Sequence, residues 1–211
     1  MGATTVEISG LTGASFEAPA RVSRRFGTEW IRDARLLPDS ILHARRRNAA
    51  QLEVRSLRPR LILFVCHANI CRSPFAAAAF SRACPPQLSG RITVASAGFI
   101  GPDRSPPSQA LAAGERFGVD ISGHRSTRIT SESLRSADLI VVMSAEQARG
   151  IRARLRSSST RVLVLGDLDP LPITRRTVSD PWGGSDSAFE ASYGRIDRCV
   201  RELAGLIQGA F

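Results

Sequence analysis

Residues 61–74 read LILFVCHANICRSP. The first six are apolar and β-prone without alternation, as a strand requires when both of its faces are covered. A polar loop follows, and then an Ala-rich helical pattern beginning near Pro74, a residue suited to the first helical position. Strand, loop and helix in direct succession are the opening of an α/β unit.

The same alternation continues downstream. Strands are predicted near 61–66, 91–96 (RITVAS), 138–143 (DLIVVM) and 161–165 (RVLVL). Helical patterns are predicted near 74–84, 107–118, 131–136, 145–155 and 187–207, the last with a stripe of Phe189, Tyr193, Ile196, Val200, Leu203 and Ile207. Four such strands separated by helices predict a parallel sheet with helices on both faces. Tyr193 and Phe189 are read as core packing, and Ser157–Ser159 as a loop.

Upstream of Leu61 the character differs. Residues 1–25 mix Gly, Ser, Thr, Ala and Pro without a period and are expected to be poorly ordered. Over 28–37 and 38–52 apolar residues recur at helical spacing, with Trp30, Ile31, Leu36, Leu37, Ile41, Leu42 and Leu52 available for burial. The run Arg45–Arg47 is read as a solvated face. The expected organisation is therefore an N-terminal extension over 1–60, partly disordered and partly helical, followed by one α/β domain over 61–211.

Composition narrows the function class. The 211 residues are 43% hydrophobic and 23% charged, an ordinary globular balance. The 29 basic residues, all Arg, exceed the 19 acidic ones for a net charge of +10. That excess is shared evenly, since 1–60 holds 11 Arg against 6 acids and 61–211 holds 18 against 13. Without a concentrated basic patch, a nucleic-acid partner is not expected. No apolar run approaches the ~20 residues that span a bilayer, and the N-terminus lacks a secretory signal's apolar core, so no membrane insertion and a cytoplasmic location are expected. Cys66, Cys71, Cys84 and Cys199 make neither a disulfide framework nor a zinc-type CxxC pair.

The loop after the first strand carries the chemistry. In a parallel sheet, ligands bind beyond the carboxyl ends of the strands. Cys66 and Arg72, closing onto a helix N-terminus, frame a cradle over His67, Ala68, Asn69, Ile70 and Cys71 whose amides can point at an oxyanion. Arg72 adds a bidentate fork for two phosphoryl oxygens. A positive cradle of this kind favours a thiolate, so Cys66 is read as a nucleophile rather than a buried strand-end thiol. Asp180 and Pro181 alone would read as a turn.

The segment CHANICRS resembles the phosphate-binding loop of the low-molecular-weight protein tyrosine phosphatases, and Asp180-Pro181-Trp182 resembles that family's DP motif. The resemblance covers about residues 61–208. It implies a flavodoxin-like three-layer fold with a four-stranded parallel sheet, and a two-step reaction through a phosphocysteine with no metal or cofactor. By the same resemblance Cys66 attacks, Arg72 and the loop amides hold the oxygens, and Asp180 is the general acid. Ser73 corresponds to a hydroxyl bonded to the thiolate, Asn69 to a left-handed Asn, and Ser96 and His124 to residues bracing it. Cys71 matches a second loop cysteine able to form a reversible disulfide with the nucleophile, and a small core residue beneath the loop is the competing reading. Trp182 is the expected wall of the substrate slot. Ala68 stands where the family has Gly, which requires negative φ there; Ala77 and Ser144 replace a Glu and an Asp.

The substrate so implied is a tyrosine-phosphorylated protein, with a bacterial tyrosine kinase of polysaccharide export as one example. Three alternatives are weighed. An arsenate reductase of the same fold would need a closely spaced Cys pair after the loop, which is absent. A protein-arginine phosphatase would resemble this loop with Thr in place of Ile70. A noncatalytic phosphoprotein-binding module would have little need of Asp180.

Overall fold

The computed structural model describes residues 39–155 and 159–211. The readings for 1–38, and for Ser157 and Ser158, fall outside the described residues. Strands β1 (Leu61–Cys66), β2 (Thr93–Gly98), β3 (Leu139–Val142) and β4 (Arg161–Val164) form one parallel sheet in the order β2-β1-β3-β4. The chain is thus α/β with the expected flavodoxin-like arrangement. Since β1 has β2 on one side and β3 on the other, the connections after β1 and after β2 leave in opposite senses. A crevice for ligands opens at such a switch point, beyond the C-terminal end of β1.

Side-chain alternation divides β1 between two cores. Ile62, Phe64 and Cys66 face one side, with Phe75 and Phe80 of α2 (Arg72–Ala83) and with Phe189 and Tyr193 of α6 (Asp186–Gln208). Leu63 and Val65 face the other, with Leu134 of α4 (Ser131–Ser136) and Ile151 of α5 (Ala145–Leu155). A strand buried on both faces has no place for polar residues, which is why LILFVC reads as a continuous apolar run. Between β2 and α4 lies α3 (Ser108–Arg116), and a 3-10 turn at Leu165–Leu168 follows β4.

Two boundaries differ from expectation in ways that bear on the site. Helix α2 begins at Arg72, so Pro74 is its third residue rather than its first. The missing proline N–H is harmless anywhere in that first turn, where amides lack intrahelical partners. Strand β2 runs to Gly98 instead of ending at Ser96, because its register with β1 pairs Cys66 with Gly98.

Helix α1 (Asp39–Arg55) precedes the sheet and packs against α6 and the 3-10 turn. Its buried face is His43, Ala50 and Val54, whereas Ile41 and Leu52, expected to be buried, are 61% and 69% exposed. Polar contacts fix this orientation. His43 Nε2–H donates to the Asp169 carbonyl at 2.8 Å, and Arg47 and Gln51 converge on Glu202 of α6 at 2.7 and 2.6 Å.

Candidate active site

The nucleophile candidate is set where β1 stops. Cys66 is buried, and its Sγ accepts hydrogen bonds from the Asn69 amide at 3.2 Å and the Ser73 hydroxyl at 3.1 Å. Both donors face the sulfur from the loop that it opens. The loop turns back on itself at Asn69, whose φ of 55° is left-handed. Asn adopts that conformation more readily than most residues. Ala68 is not among the positive-φ residues, so it meets the requirement its side chain imposes.

Asn69 spends its polar groups on holding the turn. Its side-chain amide donates to the Ser73 and Ser96 hydroxyls, both at 2.8 Å, and its side-chain oxygen accepts from the Thr127 amide at 2.7 Å. The carbonyl of Asn69 accepts from His124 Nε2–H at 2.8 Å. Burial holds the His124 imidazole below its usual value, against the opposing pull of the bond to Asn69, so the neutral tautomer carrying hydrogen on Nε2 is the donor. Ser73, Ser96 and His124 thus all converge on the loop.

Two further supports come from outside the loop. A Cβ on Gly98 would stand 2.8 Å from Ala68 C and from Asn69 N, so only glycine lets β2 pass so close beneath the cradle. Tyr193 of α6 stacks on Phe75 with ring centroids 3.9 Å apart and donates its hydroxyl to the Cys71 carbonyl at 3.1 Å. Its role exceeds packing. A buried phenol has to find an acceptor, and that need was the available clue.

Arg72 reaches under the cleft from the first turn of α2. Its Nη1 donates to the Val178 carbonyl at 3.2 Å, its Nη2 pairs with the carboxylate of Asp180, and its Nε is buried with no hydrogen-bond partner among the described residues. The segment that brings Asp180 here is anchored at several points. Val178 N–H donates to the Met143 carbonyl at 2.9 Å. Arg195 donates to the buried Asp169 at 2.9 Å and to the Thr177 carbonyl at 2.8 Å. Trp182 N–H donates to Asp180 at 3.3 Å.

These elements enclose a cleft of about 170 Å³ lined by Cys66, His67, Ala68, Ile70, Cys71, Arg72 and Asp180, with Ile100, Arg104 and Trp182 at its walls. Trp182 is 63% exposed. Ile100 rather than Phe99 joins it, because Phe99 lies by Gly150 and beneath Arg154 of α5. Nothing in the residue pattern marks Arg104, an exposed arginine in a polar loop. Burial, with Cys66 and Asp180 adding to it, pushes the Cys71 thiol up to about 12. Cys84 is half-buried and Cys199 buried. Among the described residues no cluster of His, Cys, Asp and Glu is arranged to hold a metal.

The profile of the low molecular weight phosphotyrosine protein phosphatases matches residues 61–209. The chain belongs to this family. A probable low molecular weight protein-tyrosine-phosphatase of Ralstonia solanacearum, EpsP, is 37% identical over 143 residues, 67% of this chain and 91% of the relative. The tyrosine phosphatase Wzb of Escherichia coli K30, solved in complex with sulphate, superposes with a TM-score of 0.61 at 26% identity, over 70% of this chain and 97% of Wzb. The arginine phosphatase YwlE of Geobacillus stearothermophilus gives 0.62 at 26%, over 71% and 94%. Family membership therefore covers both the sheet and the cradle at its switch point. Helix α1 precedes the matched span.

Proposed function

We propose that the protein is a cysteine-dependent phosphotyrosine protein phosphatase whose catalytic domain is residues 61–211, working through a phosphocysteine without a metal. The supporting observation is the convergence of Cys66 and Arg72, from one loop, and Asp180, from a distant part of the chain, on one cleft. Phosphoryl transfer needs an in-line nucleophile, neutralised oxygens and a proton for the leaving group. Here Cys66 Sγ attacks phosphorus, Arg72 and the amides of residues 67–72 hold the non-bridging oxygens, and Asp180 protonates the departing tyrosyl oxygen as the P–O bond breaks. In the second step Asp180, now a carboxylate, takes a proton from the attacking water, and the P–S bond breaks. The thiolate released is received by the Asn69 amide and the Ser73 hydroxyl.

Ile100 and Trp182 supply the apolar walls that an aryl ring requires. The physiological substrate is then a tyrosine-phosphorylated protein of the cytoplasm, and a bacterial tyrosine kinase of polysaccharide export is the first to test. Among the described residues no helix is long and apolar enough to cross a membrane. The deciding experiment is hydrolysis of para-nitrophenyl phosphate and a phosphotyrosine peptide in EDTA by the wild type and Cys66→Ser. Activity that survives EDTA and vanishes in the variant is expected, and undiminished turnover by Cys66→Ser would refute the mechanism.

A further inference from the structure

We propose that Arg104 is a specificity residue that recognises a carboxylate side chain next to the phosphotyrosine of the substrate, so that the enzyme prefers acidic phosphopeptides. This rests on the phosphatase assignment above.

Three observations carry it. Arg104 lines the same cleft as Cys66, Asp180 and Trp182, on the wall formed by Ile100. Its backbone is fixed although its side chain is exposed. The Arg104 amide donates to the hydroxyl of the buried Ser126 at 2.9 Å, the Ser126 amide returns a bond to the Arg104 carbonyl at 2.9 Å, and the Asp103 amide donates to the Ser126 carbonyl at 2.7 Å. The stem of Arg104 lies over Gly101, with Cδ 3.1 Å from the place a Cβ would occupy. Gly101 has a φ of 58°, so it provides both the turn and the space that let the arginine lie there.

The third observation is electrical. Arg72, the other cation of the cleft, is committed to Asp180 and the Val178 carbonyl. For the guanidinium of Arg104 no hydrogen bond or ion pair is found among the described residues, yet it is close enough for its charge to be felt at Cys71. The phosphoryl group is already served by Arg72 and the loop amides. A second cation at the wall, unpaired among the described residues, matches an anion carried by the substrate outside its phosphoryl group. A guanidinium and a carboxylate pair as a planar two-bond fork, and an acidic residue flanking the phosphotyrosine brings that group to the mouth of the cleft.

The test uses three phosphotyrosine peptides of equal length, identical except for Glu, Gln or Lys at the positions flanking the phosphotyrosine. Each is assayed with the 211-residue wild type and Arg104→Glu, and each protein's turnover of para-nitrophenyl phosphate is the reference for its peptide rates. The wild type is expected to favour the Glu over the Gln peptide by about tenfold in kcat/KM, mostly through KM, and to disfavour the Lys peptide. In Arg104→Glu the order should invert. Equal kcat/KM on all three peptides by an active wild type, or the same ranking in Arg104→Glu, overturns the specificity role alone. Absence of any hydrolysis by the wild type overturns the phosphatase assignment, and this inference falls with it.

Discussion

Asp180 lies against Arg72, so the candidate acid is paired with the cation proposed to hold the phosphoryl oxygens. Arg72 is 6% exposed and Asp180 44%, so the pair has one buried and one solvent-facing member. On the proposed mechanism, an incoming phosphoryl dianion would compete with the carboxylate for the guanidinium and release Asp180 toward the leaving oxygen. Asp180→Asn should therefore bind an oxyanion such as tungstate more tightly than the wild type, while its kcat falls by about 10²-fold or more. Titration calorimetry and steady-state kinetics on the same preparation measure both effects. Weaker tungstate binding by the variant would show that the carboxylate does not compete for Arg72.

Gly98 carries a prediction that no polar residue of the site makes. A methyl group there meets Ala68 and Asn69 backbone at 2.8 Å, so Gly98→Ala must push the cradle off β2. Displacements near 1 Å at a reacting centre cost on the order of 10²-fold in rate. We expect such a loss in kcat/KM with the fold retained by circular dichroism, and a variant of wild-type activity would mean the loop is not held there.

The two cysteines of the cradle should differ in reactivity. Cys71, pushed up to about 12, remains a thiol at neutral pH, and thiols alkylate far more slowly than thiolates. One equivalent of iodoacetate should modify Cys66 at pH 7, with protection by phosphate, and Cys71→Ser should react like the wild type. Peptide mapping that finds the label on Cys71 would reverse the assignment of nucleophile.

His124 sets a pH dependence of stability. Its folded value lies below the ordinary one near 6.5, so between the two the unfolded chain binds more protons than the folded one. Stability should be constant above the ordinary value, decline as pH falls below about 6.5, and level off once the folded value is passed. Urea midpoints from pH 8 to 5 should show this decline in the wild type and a shallower one in His124→Gln. An identical slope in both proteins would remove His124 as its source.

The strands and most helices could be read from the chain because burial on both faces leaves an unmistakable apolar run, as in Leu61–Val65 and Leu139–Val142. Cys66 and Arg72 stand out in the sequence because their types and spacing suit an oxyanion cradle, whereas Asp180 is marked only by the resemblance of its DP motif; the fold brings all three to one cleft. What stayed hidden depends on tertiary distance. Gly98 matters through a close approach between backbones, Tyr193 through a carbonyl 122 residues away in the chain, and Arg104 through a wall assembled only in the fold. Helix α1 turns Ile41 and Leu52 outward, against its apolar pattern, because His43 and Arg47 find specific partners and turn the helix toward them.

The bond from Tyr193 to Cys71 also ties catalysis to the order in which the polypeptide is made. Cys66 and its cradle leave the ribosome more than a hundred residues before Asp180 and Tyr193. A nascent chain therefore carries the proposed nucleophile long before it carries the proposed acid and the phenol that braces the loop. Enzymatic competence should arrive abruptly, when α6 docks, and a truncated product ending before Asp180 would be inert toward phosphoproteins in the cell.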